Sequence, residues 1–248
     1  MKKKLLSISE AAKILGVSID TLRNWEDKGV LKSFRPHASS KRYYQPEHLE
    51  NFLKNETGTI PENIETKAIK WASGKTATET SPDLYCETND IFSARLQSLS
   101  IKLSKITEIK EIFPLLIAVA GEIGNNSYNH NIGSWPDVPG VFFGYDMQKK
   151  LIILADRGQG ILKTLKRVLP ELKNDQEALQ IAFTRYISAR APEDRGNGLK
   201  FVKDIILSNP IKLLFYSGQI LLEIDKNSGL KFKKNKIKFP GCLAIINY

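Results

Sequence analysis

Apolar residues recur at helical spacing in two short segments close to the start of the chain. The first segment, residues 9–15, follows serines that suit a helix cap, and Gly16 ends it. Ser18 caps the second segment, residues 19–28, and Gly29 stops it. Two short helices joined by a tight glycine turn make a helix-turn-helix unit. The pattern therefore predicts that unit at the beginning of the chain.

The second of these helices carries polar side chains on the side that faces away from the predicted packing surface. They are Ser18, Asp20, Thr21, Arg23 and Asn24. Positions at the start of such a helix read base edges when the helix enters a major groove. Residues 32–44 follow as a basic hairpin with aromatic residues at its return, a shape that can lie along phosphates, and a closing helix spans 46–53. We assign residues 1–54 to a DNA-binding domain.

Residues 55–88 are polar and rich in Thr, Glu and Pro, with few apolar anchors. This composition predicts a linker with a short helix around Ile64–Trp71. Within it, residues 73–76 (Ser-Gly-Lys-Thr) look like the end of a phosphate-binding Walker A loop. The earlier glycine that this motif needs is replaced by Ile69, and no apolar strand precedes it. We therefore interpret the tetrapeptide as part of the linker.

Residues 89–248 combine apolar-periodic helices, glycine-rich turns and late alternating strands, a pattern typical of an α/β domain. The first predicted helix has an apolar seam at spacings of four and three residues, as at positions a and d of a coiled coil. The seam consists of Phe92, Leu96, Leu99, Leu103 and Ile106. It either packs on the core of its own domain or forms a dimer helix that brings two DNA half-sites together. About two heptads do not decide between these interpretations, so a homodimer stays open.

Three polar residues, Glu122, Asn126 and His130, recur every four positions, which places them on one face of a helix. A carboxylate one turn before a carboxamide suits a site for a metal-bound nucleotide. Asn126 can offer a hard oxygen to Mg²⁺, and Glu122 can orient or deprotonate a water. Polar residues at this spacing also form ordinary solvated helix faces, so this cluster alone is a weak signal.

Two glycine clusters follow. The first consists of Asp156, Gly158 and Gly160, and the second of Gly196, Gly198 and Leu199. The first comes directly after a buried strand, where glycines let the backbone approach a ligand closely and an aspartate can accept a hydrogen bond from the exocyclic amine of adenine. The second opens a helix, and the free N–H groups at a helix start hold phosphate oxygens.

Composition bears on the partners and the location of the chain. The 248 residues are 42% hydrophobic and 26% charged, and the net charge of +10 favours an anionic partner. Residues 1–54 and residues 211–248 each carry an excess of five positive charges. With two cysteines, no signal peptide and no run of about 18 apolar residues, we expect a cytoplasmic protein without membrane contact, a disulfide framework or a cysteine-rich zinc site.

The start of the chain resembles the DNA-binding domain of MerR-type regulators and excisionases. The residues that carry the resemblance are Ala11, Leu15, Gly16, Val17, Ser18, Thr21, Leu22, Arg23, Trp25, Glu26, Gly29, Leu31, Arg42 and Tyr43. The resemblance implies a winged helix-turn-helix that binds double-stranded DNA, with Arg23 and the wing residues on phosphates. Those wing residues are Arg35, Lys41 and Arg42. Ser18, Thr21, Asn24 and Tyr43 complete the expected DNA surface.

Residues 89–248 resemble the GHKL superfamily of ATP-binding domains, which includes those of gyrase, sensor histidine kinases and anti-sigma serine kinases. Glu122, Asn126, Ser127 and His130 match its asparagine box, the two glycine clusters match its glycine boxes, and Pro240-Gly241 resembles its late Gly-Thr turn. The resemblance implies an α+β chain in which the winged domain precedes an α/β sandwich, with helices on one face of a mixed sheet. It further implies that ATP and Mg²⁺ bind there, and that residues 162–195 form a mobile lid.

Together the resemblances imply a DNA-binding transcriptional regulator whose activity is coupled to ATP binding, with slow hydrolysis and a protein partner left open. One alternative is an enzyme with Glu122 as its catalytic residue, either an anti-sigma-type serine/threonine kinase or a DNA-associated ATPase of a mobile-element or defence system. Another is a binding module without turnover. None of the histidines, His37, His48 and His130, lies on a long helix before the ATP domain, which argues against an autophosphorylating histidine kinase.

Overall fold

A computed structural model describes residues 5–15, 17–27, 31, 33–35, 41–49, 63–78, 80–185 and 198–248. The chain divides into two units, Met1–Asn63 and Ile64–Tyr248. Within the described parts, no helix is both long and apolar enough to cross a bilayer.

In its described residues, the amino-terminal unit contains helices, one short helical segment and a small antiparallel sheet. Its elements are β1 (Leu6–Ser7), α1 (Ile8–Leu15), α2 (Ile19–Asp27) and β2 (Tyr43–Tyr44), and residues 46–49 are helical. Strand β1 pairs with β2, and Phe34 forms an antiparallel bridge with Tyr43. The buried core consists of Ala11, Ala12, Leu15, Leu22, Leu31, Tyr44 and Leu49. The predicted helix-turn-helix is confirmed.

The second unit is built around a five-stranded sheet. Its elements are α3 (Ile64–Ser73), β3 (Tyr85–Cys86), α4 (Asn89–Leu103), a 3₁₀ turn (Thr107–Ile109), α5 (Phe113–Asn131), β4 (Val141–Asp146), β5 (Leu151–Asp156), α6 (Gly160–Leu165), α7 (Asp175–Thr184), α8 (Gly198–Ser208), β6 (Lys212–Asp225) and β7 (Gly229–Asn247). The unit begins at α3, earlier than the predicted domain start at residue 89, because α3 and β3 pack into it.

The sheet has the order β3-β4-β5-β7-β6, and every pairing among the described strands is antiparallel. The expectation of a mixed sheet is therefore wrong for these strands. Short connections turn β4 into β5 and β6 into β7, and this fixes both pairs as antiparallel. Strand β7 then lies between β5 and β6 and runs against both.

Helices cover both faces of this sheet, whereas the sequence predicts cover on one face only. Helices α4, α5, α7 and α8 bury their apolar side chains against one face. Helix α3 packs Ala68, Trp71 and Ala72 on the other, against Phe142 and Ile153 of the strands. The segment 55–88 looked like a linker because these few apolar residues stand in a polar context. Its residues 55–62 lie outside the described parts.

The apolar seam of α4 is used inside the chain. Phe92, Leu99 and Leu103 are completely buried in the core of the second unit, and Leu96 and Ile106 pack against it. Helix α4 approaches α5 closely at Gly124, where a Cβ atom would lie 2.2 Å from the Phe92 ring. The seam therefore packs on the core of its own domain, which is the first of the two interpretations that its sequence allows.

Candidate functional site

Ser18 is the N-cap residue of helix α2. Ser18 Oγ accepts a hydrogen bond from the Thr21 backbone N–H at 3.0 Å and lies 2.8 Å from Thr21 Oγ1. An N-terminal cap satisfies one of the four free N–H groups of a helix start. Ser18 is exposed and Thr21 is half-buried, so both predicted DNA-reading hydroxyls lie at the beginning of the helix and remain accessible.

Arg23 and Asn24 lie on the exposed side of α2, as the spacing predicts. The Arg23 guanidinium donates to Asp20 Oδ1 at 2.8 Å, but the two side chains are 53% and 87% exposed. Exposed pairs of this kind contribute about 0–1 kcal/mol, so a phosphate can replace the aspartate at little cost.

The predicted wing is tied to the end of α2 by Glu26. Its carboxylate accepts hydrogen bonds from Ser33 Oγ at 2.5 Å, from Arg35 at 3.0 Å and from Arg42. Burial acts to raise the pKa of Glu26, but these three hydrogen bonds outweigh it and the pKa is lowered. Glu26 therefore stays ionised and orients both arginines, which the sequence predicts on phosphates.

The other wing residues lie on the same short structure. The backbone of Tyr43 exchanges two hydrogen bonds with Phe34, at 2.7 and 2.9 Å, and its side chain is half-buried. Lys41 is exposed. The charged residues of the wing thus lie around one antiparallel bridge. The sequence analysis names Glu26 only as one residue of the family pattern and does not predict that it orients the arginines.

In the second unit, helix α5 and the start of α8 meet at the residues predicted to bind nucleotide. A Cβ atom built on Gly198 would lie 2.4 Å from Glu122 Oε2 and 3.3 Å from Asn126 Nδ2. A residue with a Cβ atom fits there only if the flexible Glu122 side chain moves its carboxylate away. Among the described residues, no side chain forms a hydrogen bond or ion pair with Glu122 or Asn126, so both polar groups are available beside the N-terminus of α8.

Asp156, at the end of β5, is joined to the same helix. Its Oδ2 accepts from Ser127 Oγ at 2.8 Å, its Oδ1 accepts from the Gly158 N–H at 2.8 Å, and the backbone of Cys242 donates a further bond. Burial raises the pKa of Asp156, while these bonds act to lower it. A carboxylate offers about four acceptor positions, so three donors leave one position for a ligand.

Asn131 holds the first glycine cluster against α5, a role that the sequence analysis missed. Its Nδ2 donates to the Ser127 carbonyl at 2.8 Å, and its Oδ1 accepts from the Gln159 N–H at 2.9 Å. A Cβ atom on Gly158 would lie 2.2 Å from this carboxamide. The signal for Asn131 was its position one helical turn after Ser127.

Pro240-Gly241, which the resemblance matches to a late turn, instead lies within strand β7, beside the first glycine cluster. Gly160 has φ +72°, and its Cβ position is 2.8 Å from the Pro240 carbonyl oxygen. Buried Ser217 accepts from the Ile161 N–H at 3.1 Å and donates to the Gly241 carbonyl at 3.3 Å. Residues from three separated parts of the sequence thus enclose Asp156.

The remaining predicted residues are placed as follows. His130 is half-buried on α5, Leu199 packs against the core, and Gly196 lies outside the described residues. The segment predicted as a lid forms α6 and α7 up to residue 184, and these helices pack on one another through buried apolar side chains rather than standing free. Residues 186–195 lie outside the described parts.

Arg157, between Asp156 and the first glycine, points to the opposite face of the sheet. It is 3% exposed and donates to Asp137 Oδ2 at 2.6 Å, to the Trp71 carbonyl at 2.5 Å and to the Gly74 carbonyl at 2.9 Å. The last two belong to the C-terminal end of α3, where free carbonyls favour a cation. Residues 73–76 therefore present carbonyls rather than the N–H groups that a phosphate needs.

Comparison with known proteins identifies the first unit. Residues 6–55 match the model of the MerR HTH family regulatory proteins. These residues are therefore a MerR-family helix-turn-helix domain, of the DNA-binding class that the cap and wing geometry indicates.

A segment of the chain is similar to part of a much longer enzyme. It is 48% identical over 52 residues to the Type II methyltransferase M.Eco47II of Escherichia coli. The similarity covers 21% of this chain and 12% of the methyltransferase, so the chain spans a small part of that relative.

Proposed function

We propose that the chain is a DNA-binding regulator whose affinity for DNA is coupled to ATP, bound with Mg²⁺ in the second unit. The proposal is carried by the convergence of Glu122, Asn126 and Gly198 at one helix start, with Asp156 joined to the same helix through Ser127. The helix-turn-helix supplies the DNA contact. ATP can shift an equilibrium only between states that it binds differently, so the two units must have such states.

The residues of the second unit fit a nucleotide with its metal. The one acceptor position left on Asp156 suits an exocyclic amine, and the free N–H groups at the start of α8 suit phosphate oxygens. Mg²⁺ in nucleotide sites takes one or two protein oxygens and completes its shell with phosphates and waters. The Asn126 carboxamide oxygen can be one of them. When bound, the metal would neutralise phosphate charge.

Titration calorimetry with a non-hydrolysable ATP analogue and Mg²⁺ tests the nucleotide site. Asn126→Ala should weaken binding at least tenfold, about 1.4 kcal/mol, because it removes a metal oxygen. Asn125→Ala is the matched control, since the neighbouring carboxamide points about 100° away on the same helix. Equal affinities of the two variants would contradict the site.

DNA binding at fixed salt tests the coupling. Nucleotide should change the affinity of the full chain for its duplex, and the Asn126→Ala variant should lose that change while it keeps binding DNA. An affinity that is the same with and without nucleotide would refute the gated regulator. The salt concentration must be held constant because phosphate contacts make DNA affinity steeply salt-dependent.

An enzyme is the second candidate, and it is favoured by the carboxylate of Glu122 beside Gly198, which has no side-chain partner among the described residues. A carboxylate in that position can deprotonate a water, giving an ATPase, or a hydroxyl, giving a serine/threonine kinase. The unaltered protein should then release ADP, and Glu122→Ala should abolish this release without loss of nucleotide binding. If the unaltered protein releases no ADP, the second unit is a binding module without turnover.

A further inference from the structure

The positive charge of the second unit is concentrated in its last hairpin. Residues 64–210 of this unit contain nineteen basic and seventeen acidic residues, whereas residues 211–248 contain seven lysines and two acidic residues. Five of these lysines lie within eight positions, and all five are exposed: Lys231, Lys233, Lys234, Lys236 and Lys238. A net charge so unevenly placed creates a local positive potential.

The hairpin extends past the rest of the sheet as a two-stranded ribbon. Strand β5 pairs with residues 243–247 of β7, and β7 pairs only with β6 over residues 229–234 among the described strands. Apolar residues of the ribbon, including Leu222 and Phe232, face the core. Because side chains alternate along a strand, Lys231 and Lys233 lie on the opposite, outward face.

A bulge in β7 places further lysines outside the regular ladder. Gly218 pairs with Phe239 and Ile220 pairs with Lys234, so residues 235–238 stand opposite the single residue 219. Asn235 Nδ2 donates to the Ile237 carbonyl at 2.8 Å and holds the bulge. Bulges re-aim side chains, and this one exposes two lysines on either side of Ile237.

Carboxylates neutralise little of this charge. Lys233 pairs with Glu223 at 2.9 Å, and Asp225 accepts instead from the backbone of the turn at residues 227 and 228. In the described parts of the chain, none of the other four lysines has a carboxylate within ion-pair distance. Lysines that only protect a strand edge need not cluster in this way, since one or two charges suffice.

We propose that this basic ribbon, residues 220–238, is a second DNA-binding surface that contacts the phosphates of double-stranded DNA. The proposal rests on the proposed DNA binding by the helix-turn-helix unit. That unit would hold the duplex at a high effective concentration, at which a weak second contact adds to the overall affinity. Phosphate contacts by lysine release counterions and carry no sequence information. The ribbon therefore strengthens binding without selecting the site.

Fluorescence anisotropy with the full chain and a labelled mixed-sequence duplex of about 30 base pairs, at several KCl concentrations, tests the ribbon. The variant replaces Lys234, Lys236 and Lys238 by glutamine. The matched control replaces Lys105, Lys110 and Lys173, which are exposed lysines elsewhere in the same unit. The ribbon variant should reduce the slope of log K against log [KCl] by about 2–3 and weaken binding about tenfold or more. The control should change affinity less than about twofold.

The outcomes separate the ribbon from the DNA-binding unit. Equal weakening of both triple variants would show a general charge effect and overturn the proposal. If the ribbon variant keeps the salt slope of the unaltered protein while Arg23→Ala weakens DNA binding, the proposal for the ribbon is overturned and DNA binding by the helix-turn-helix is not. A chain that binds no duplex would overturn both proposals.

Lysine acetylation followed by mass spectrometry gives a second readout on the unaltered protein. The duplex should slow acetylation of Lys234, Lys236 and Lys238 several-fold and leave Lys105 and Lys110 unchanged. Equal protection of all five would contradict the ribbon. Stronger protection by polyglutamate or double-stranded RNA than by DNA, at equal charge, would overturn the choice of DNA as the partner.

Discussion

Ser127 Oγ donates a hydrogen bond to Asp156 Oδ2 at 2.8 Å, and this bond joins helix α5 to the end of strand β5 inside the second unit. Both residues are less than a tenth exposed. The asparagine cluster and the first glycine cluster, which are 30 residues apart along the chain, therefore share a polar contact. A substitution at one cluster should therefore alter the position or the hydrogen bonds of residues in the other.

The Ser127→Ala variant should lower the free energy of unfolding by about 1–3 kcal/mol, because it leaves a buried carboxylate with one donor fewer. Burial raises the pKa of Asp156 in the folded state, so its contribution to stability is full below the unfolded pKa of about 3.9 and declines as pH rises through the folded pKa. The serine bond favours the ionised form. The deficit of the variant should therefore grow as pH rises.

Urea denaturation at about pH 4 and about pH 8 measures this growth. Ser208→Ala, at the exposed end of α8, is the control and should differ little from the unaltered protein at either pH. A deficit that is larger in acid would contradict the assigned bond.

Gly198→Ala should weaken nucleotide binding with little loss of fold stability. The new Cβ would lie 2.4 Å from Glu122 Oε2, so the carboxylate must move away from the start of α8. Adding Glu122→Ala removes the clash and should restore nucleotide affinity without restoring any turnover. Calorimetry with the analogue and Mg²⁺ measures both variants. A double variant that binds no better than the single one would show that the glycine acts in some other way.

Arg157→Met should destabilise the second unit by about 2–4 kcal/mol, since buried carbonyls and the Asp137 carboxylate lose their donor. Arg167→Met is the control, because Arg167 is exposed and, among the described residues, its side chain donates only to Gln159. Thermal unfolding compares the two variants. Similar melting temperatures would contradict an anchoring role for the buried arginine.

Glu26→Gln should weaken DNA binding even though it removes a negative charge from the DNA-binding unit. The carboxylate orients Arg35 and Arg42, and a neutral amide cannot hold both guanidinium groups. We expect a loss of about 1 kcal/mol or more, measured by anisotropy at fixed salt. Glu87→Gln, an exposed change of the same charge in the second unit, is the control. A gain in affinity for Glu26→Gln would indicate that charge outweighs orientation.

The same carboxylate gives this unit an acid-sensitive contact. Hydrogen bonds lower the folded pKa of Glu26, so its stabilising effect is present above the unfolded pKa of about 4.3 and is lost as pH falls through the folded value. Glu26→Gln should lack that step in an acid titration of stability. If the variant loses stability over the same pH range by the same amount, the loss belongs to another titratable group.

The helix-turn-helix could be predicted from the sequence because its signals are local. Ser18 and the glycines that follow each helix mark the ends of elements only a few residues long. The small core needs no partner from distant sequence. The family match at residues 6–55 covers the same segment.

The second unit was predicted less well because its pairings are distant in sequence. The direction of the strands depends on which of them become neighbours, and β5 reaches β7 only after three helices and β6. Helix α3 carries its apolar residues in a segment of polar composition, and Arg157 points to the face of the sheet opposite the predicted nucleotide residues. Such contacts become visible only when the chain is folded.

The nucleotide-binding residues were predicted from the order of the motifs along the chain, not from their geometry. Glu122, Asn126 and Gly198 lie together in the structure, and Asp156 is one hydrogen bond from α5. Asn131 and Ser217, which support this arrangement through backbone contacts, were not predicted. The position of Asn131 one helical turn after Ser127 is a signal for it, whereas a lone buried hydroxyl such as that of Ser217 has no distinctive spacing. Binding of ATP there remains our proposal.

The amino-terminal unit packs on its own buried side chains, from Ala11 to Leu49 in the described residues. A module with a self-contained interior can be joined by recombination to successors of unrelated chemistry without redesign of either part.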